Sequence, residues 1–300
     1  MKTFRMKPLR KASSKAQSAM EYLMTYGWAI LIISVVLAAF FQLGVFNANN
    51  FAPKAPPGAC QVIRPNGPGT TSFISLEGEC TGELPQYVAQ FNGQTSHIIL
   101  SDKNLPTGSS PRTFTAWVKP SGPNQGGGVI SYGITSNGEW ILVWSKYISS
   151  DALLLSDWGG NEAVYKGGTN PNFYFIAISI IDANTIAGDV NGNYTLLTPL
   201  TYPVNTVLSG ELVIGDQNPP GYIQFNGSIA NVQIYNTSLS ANELQALYLE
   251  GIGGAPIDLQ YLVGWWPLNG NANDYSGNGN NGQTYNVNFI SNWYNSYTPP

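Results

Sequence analysis

Charge is scarce in this chain. Charged residues fill 10% of its 300 positions, and there are one histidine and two cysteines. The single histidine, His97, stands beside Ile98 and Ile99 on an expected strand and reads as a strand residue. With no second imidazole, and no free reactive thiol expected, Ser-His, Cys-His and His-rich zinc chemistry lack their parts. Basic residues are scarcer still beyond the N-terminus. Six of the thirteen Lys and Arg (Lys2, Arg5, Lys7, Arg10, Lys11 and Lys15) precede residue 17, and no acidic residue precedes Glu21. From residue 17 onward seven basic residues face seventeen acidic ones, a balance of −10. That balance excludes the basic face a nucleic-acid partner requires. Also missing is a strand carrying alternate acidic residues, such as could supply the facing carboxylates of glycoside hydrolysis. Glu139, Asp151, Asp157 and Glu162 are scattered near turns instead. No enzymatic activity is expected.

What is present begins with an apolar run at residues 23–46, LMTYGWAILIISVVLAAFFQLGVF. Its 24 residues carry no charge and suffice, at about 1.5 Å per residue, to cross a hydrocarbon core of about 30 Å. It ends without an A-x-A-like cleavage site, unlike an ordinary secretory signal. The basic head places the N-terminus on the cytoplasmic side of a single-pass anchor, and the acidic remainder outside the cell.

The residues just before the run are Lys15, Ala16, Gln17, Ser18, Ala19, Met20, Glu21 and Tyr22. This segment resembles the class III signal peptide of archaeal type IV pilins. The resemblance implies cleavage by a prepilin peptidase between Ala16 and Gln17, with Glu21 the fifth residue of the mature chain. In that family the glutamate pairs with the N-terminal ammonium of a neighbouring pilin-like subunit. A carboxylate at the head of an apolar helix needs such a partner, although it also suits the positive end of the helix dipole. The alternative is an interfacial Glu21 that only marks the membrane boundary.

The expected organisation is a basic leader (1–16), a membrane or pilin helix (17–46), a Pro-rich linker (47–59), a flap (60–84) and a β-domain (85–300). Cys60 and Cys80, in an exported chain, are expected to form a disulfide that staples the flap; two unpaired thiols are the alternative. Candidate strands lie at 87–91, 97–100, 114–119, 128–133, 140–146, 152–155, 173–182, 186–190, 211–214 and 228–235. Asn137-Gly138 and Asn191-Gly192 read as hairpin turns. One helix is expected, with Ser240 as N-cap, Glu243 closing a capping box, Leu244, Leu247 and Tyr248 as its apolar face, and Gly251 as its stop. Many short strands and scant helix argue for a two-sheet antiparallel sandwich or jelly roll.

The segments Phe91-Asn92-Gly93, FTAWVKP at 114–120 and FNGSIANVQIYNTSLSANELQALY at 225–248 resemble laminin-G-like, concanavalin A-type domains. GWWPLNGNANDYSGNGNNG at 264–282 resembles a segment that normally opens such a domain. Too little chain follows for a second sandwich, so it is expected to fill the first-strand position of the same one; a truncated second copy is the alternative. The resemblance implies a jelly-roll sandwich suited to adhesion or glycan binding. Period-two alternation sets Trp140, Leu142 and Trp144 on one face, with Trp158, Tyr132, Tyr147 and Tyr165 near in sequence. That face is either a glycan surface or part of the core. Asp274, amid Asn and Gly turns, offers a calcium ligand; Asx turns account for it equally. Asn193, Asn226 and Asn236 head N-glycosylation sequons.

Overall fold

The computed structural model describes residues 14–42, 55–63, 73–78, 84–122, 125–134, 136, 140–146, 153–156, 162–165, 172–197, 199–200 and 202–300. They fall into two units, Met1–Ala52 and Pro53–Pro300. In the first, Ser14–Gln42 form one helix, α1. The Ser34 hydroxyl donates to the Ile30 carbonyl at 2.8 Å, so the helix satisfies its own polar side chain. Among the described residues no helix is long and apolar enough to cross a membrane. The side chains of Ala16, Gln17 and Glu21 lie outside the described residues.

The second unit is nearly all strand: β1 (Ala55–Ile63), β2 (Phe73–Gly78), β3 (Leu84–Pro85), β4 (Val88–Asn92), β5 (His97–Ser101), β6 (Arg112–Pro120), β7 (Gly126–Gly133), β8 (Trp140–Lys146), β9 (Leu153–Ser156), β10 (Glu162–Tyr165), β11 (Tyr174–Asp182), β12 (Thr185–Val190), β13 (Asn193–Leu197), β14 (Glu211–Ile214), β15 (Asn226–Tyr235), β16 (Leu262–Trp266), β17 (Gln283–Tyr285) and β18 (Asn288–Ile290). A helix, α2 (Ala241–Glu250), follows β15.

β1 begins at Ala55, within the stretch read as a Pro-rich linker, and pairs there with β2. Its register with β2 shifts between Ala55 and Cys60. Pro56, Pro57 and Gly58 sit in that irregularity, where a missing N–H breaks no regular ladder. The backbone of Cys60 pairs with Leu76 on one side and Pro85 on the other. Its side chain, and Cys80 altogether, lie outside the described residues.

The remaining strands form two antiparallel sheets. One has the order β10-β9-β8-β7-β14-β5-β17; the other runs β13-β12-β11-β6-β15-β4-β18, with β16 also on β15. Between them lies the main core, filled from one side by Ile98, Leu100, Ile130, Tyr132, Leu212 and Ile214, and from the other by Phe91, Phe114, Val118, Ile176, Ile178 and Ile229. The Asn191-Gly192 turn behaves as its sequence demands: both residues have positive φ (52° and 79°) and join β12 to β13 in a two-residue hairpin. The Asn137-Gly138 turn lies outside the described residues.

The eight-stranded sheet is buried on its far face as well. Trp117, Phe175, Ala177 and Tyr235 point away from the main core and pack with Leu244, Leu247, Ile252 and Trp293. Helix α2 thus lies on this sheet, started as expected by the Ser240–Glu243 capping box. The C-terminal segment completes the same sandwich. β16 pairs with β15, β17 with β5 and β18 with β4, so a truncated second copy is excluded. At one end of the core the buried Arg112 guanidinium donates to the Pro106 and Gly108 carbonyls and the Thr206 hydroxyl. The Tyr132 ring lies 5.9 Å beneath it, and burial pushes the Tyr132 hydroxyl up to about 12.

Replacing Ser240 with alanine removes the cap from α2 and is expected to cost about 1 kcal/mol. Urea unfolding with an unchanged m-value measures it.

Candidate ligand-binding face

With α2 and the C-terminal segment on the eight-stranded sheet, the outer face of the seven-stranded sheet is the place to look for a ligand surface. Alternation defines that face. On β5, Ile98 and Leu100 enter the core, so His97 and Ile99 point outward. On β14 and β7, Val213 and Ser131 are the outward residues between core-facing neighbours. Pairing sets Gln283, Ile99, Val213, Ser131, Leu142, Ser156 and Glu162 in one transverse row.

On β8 the described side chain is Val143, which is buried in the core. Position 140 pairs with Gly133 and position 144 with Gly128, two residues without side chains. The side chains of Trp140 and Trp144 lie outside the described residues, as does all of Trp158. Tyr132 does not join them. Being one residue from Ser131, it enters the core.

One segment crosses the outer face over β7 and β14, namely residues 215–223, GDQNPPGYI. Buried Asn218 fastens it. Its N–H donates to the Ser131 hydroxyl at 3.0 Å, and its amide to the Ser209 hydroxyl at 2.6 Å and the Glu211 carbonyl at 3.0 Å. Buried Asp216 holds the loop tip. Its Oδ2 accepts the Gly221 N–H at 2.7 Å, and its Oδ1 accepts those of Ile223 at 3.1 Å and Gln217 at 2.8 Å. The N–H groups on either side of Tyr222 are therefore tied to one carboxylate. Tyr222 itself is 78% exposed. A large ring turned to solvent on so firmly held a backbone is a pre-organised contact rather than a frayed tip.

Neighbouring loops are tied in the same way. Asp102, at the end of β5, accepts the Ser209 and Gly210 N–H groups, both at 2.9 Å. Asp274 accepts those of Trp265 (3.0 Å) and Ser276 (2.9 Å) on Oδ1 and that of Asn280 (2.8 Å) on Oδ2. Three donors converge on it, and among the described residues no three His, Cys, Asp or Glu side chains stand together as a metal cluster. This arrangement fits the Asx-turn reading of Asp274. Of the sequon asparagines, Asn193 and Asn236 are exposed, while half-buried Asn226 donates its amide to Gln125.

At the other edge of the face, His97 is not an isolated strand residue. Its ring stacks on that of Tyr285, with centroids 4.8 Å apart and planes inclined by 19°. Sequence reasoning missed both this pair and the Asp216–Tyr222 loop. The run of Gly, Asp, Asn and Pro at 215–221 was a turn signal that could have marked the loop, whereas nothing local links residues 97 and 285.

A family model described as Laminin_G_3, of the concanavalin A-like lectin/glucanases superfamily, matches residues 92–245, just over half of the chain. No curated protein sequence matches it. Among solved structures, a Bacteroides ovatus protein provisionally described as carbohydrate-binding is similar at 15% identity and a TM-score of 0.48. The similarity covers 75% of this chain and 64% of that one, so the chain spans less than two thirds of that protein. A SAP-like pentraxin from Limulus polyphemus is similar at 13% identity and a TM-score of 0.47, over 69% of this chain and 96% of that one. The CBM40 domain of a Ruminococcus gnavus sialidase, solved with α2,3-sialyllactose, is similar at 15% identity and a TM-score of 0.41, over 54% and 96%.

The loop gives a paired prediction. Asp216→Ala strips three N–H groups of their acceptor and is expected to destabilise the domain by about 3 kcal/mol. Tyr222→Ala, at an exposed ring, is expected to stay within about 0.5 kcal/mol of the parent. Thermal unfolding of the two variants side by side checks both.

Proposed function

The chain belongs to the concanavalin A-like lectin/glucanase superfamily through its Laminin_G_3 domain, and from its N-terminal sequence we propose that it is a type IV pilin-like cell-surface protein. In this reading its sandwich binds glycans through the outer face of the seven-stranded sheet. The observation that carries the reading is Tyr222, an exposed ring on a loop clamped by a buried carboxylate and an amide, on the sheet face that α2 leaves free. Sugar recognition needs such apolar ring faces for C–H surfaces, with hydroxyls and amides close by. Trp140 and Trp144, grouped on one face by the alternation of the sequence, are the further candidate rings.

Binding without hydrolysis suits the carboxylates present. Asp102 and Asp216 are buried and accept backbone N–H groups, so they do not face each other across a cleft as a glycosidase pair must. The helix supports display. Residues 14–42 are helical, and their sequence is that of a pilin-like anchor, expected to be trimmed by a prepilin peptidase, to sit in the membrane and to align with other pilin-like subunits through Glu21. In this reading the β-domain is extracellular.

Two experiments test the two halves. Retention on immobilised glycans is expected to fall about tenfold for Tyr222→Ala and for Trp140→Ala or Trp144→Ala, with unfolding temperatures unchanged. Full retention in all three, or misfolding of both tryptophan variants, overturns the binding face. N-terminal sequencing of the exported protein is expected to start at Gln17, and Glu21→Gln to abolish filaments while leaving membrane insertion intact. A retained leader overturns pilin processing, and filaments surviving Glu21→Gln remove the role of that residue, leaving a non-polymerising anchored lectin.

A further inference from the structure

The stacked pair at the sheet edge lies well away from the Tyr222 loop, yet on the same face. From it we propose that this face takes an extended, uncharged glycan chain, with Tyr285 and His97 forming a second sugar-stacking position remote from the first. The proposal rests on the glycan-binding reading and narrows its ligand class.

The placement comes from the return of the C-terminal segment. β17 is the edge strand beside β5, and its register sets Tyr285 opposite His97 and Gln283 opposite Ile99, all four on the outer face. The near-parallel stack on His97 fixes the Tyr285 ring, which stays 37% exposed at the free edge. A ring already held by a neighbour loses little freedom when a sugar lies against it. Gln283 is exposed two residues away on the same side, and half-buried Ile99 forms an apolar floor. Ring face, amide and apolar floor make up a monosaccharide-sized contact.

Strand order sets the span. The Tyr222 loop is fastened to β7 and β14, and β17 lies beyond β5, two steps from β14 and about 10 Å from it at about 4.8 Å per step. One terminal sugar cannot touch both positions, whereas a chain of several units can. Charge sets the class. Among the described residues of this face, namely His97, Ile99, Ser131, Val213, Asn218, Tyr222, Gln283 and Tyr285, none is Lys or Arg. The exposed Glu211 lies at its end, opposite Ser101. Uronic, sialic or sulfated chains would meet that carboxylate, and no cation among the described side chains of this face.

The test uses the full exported chain in detergent, titrated with neutral gluco- and manno-oligosaccharide ladders from disaccharide to hexasaccharide and with an oligouronide ladder. In the parent, affinity for neutral chains is expected to rise about tenfold along the ladder, with oligouronides weaker throughout. Tyr285→Ala is expected to flatten that rise while leaving disaccharide binding unchanged. His97→Ala is expected to do the same in part, and His97→Phe, which keeps a ring beneath Tyr285, to restore it. Tyr222→Ala should weaken every length. A length dependence that survives both Tyr285→Ala and His97→Ala overturns the second position, as does one already absent from the parent. Oligouronides binding as tightly as neutral chains overturn the ligand class. If the parent binds no member of any ladder, the glycan-binding reading falls and this proposal falls with it. Should Tyr285→Ala fail to fold, the His97 pair decides.

Discussion

The burial of one sheet on both faces is the constraint from which the rest of this domain follows. β6 and β11 are apolar on both sides: Phe114, Ala116 and Val118 face the inter-sheet core, while Trp117 and Phe175 face α2 and the C-terminal segment. Central strands of this kind are usual where a sheet carries a layer on each side. Once the eight-stranded sheet is spent in this way, a ligand surface has to come from the seven-stranded sheet. There the outward residues are mixed and partly exposed, and a single loop crosses them.

Scarce charge is put to consistent use. Asp102, Asp216 and Asp274 each gather two or three backbone N–H groups from a loop. A carboxylate that accepts several N–H bonds is well satisfied without water or a cation. The acids of the described loops therefore hold backbone in place, including that on either side of the exposed Tyr222 ring. Asp189 differs. One oxygen accepts the Gly192 N–H at 2.7 Å, the other has no partner, and burial raises its pKa above the usual carboxylate range.

Much of the fold was legible in the sequence because its long strands carry both alternation and turn punctuation. The strand at 140–146 was anticipated to the residue, and α2 was readable from Ser240 and Glu243 alone. Short pieces were not readable. β17 and β18 have three residues each and exist only because β5 and β4 offer them open edges. The site was legible by halves. Alternation grouped Trp140 with Trp144 but could not tell outer face from core. Val143 is buried in the core, while the side chains of Trp140 and Trp144 lie outside the described residues. Tyr222 was unreadable because its role depends on a carboxylate six residues earlier, and the His97–Tyr285 pair joins residues 188 positions apart.

The return of the C-terminus has a consequence for the order of assembly. Until residues 283–290 have been made, β5 and β4 lack their outer neighbours, and Trp293 and Tyr297 are missing from the layer beside Trp117. Neither sheet can be finished from the N-terminal side. A chain made from its N-terminus thus keeps these closing pieces to the end, and the domain locks only once residues 283–297 can pair and pack.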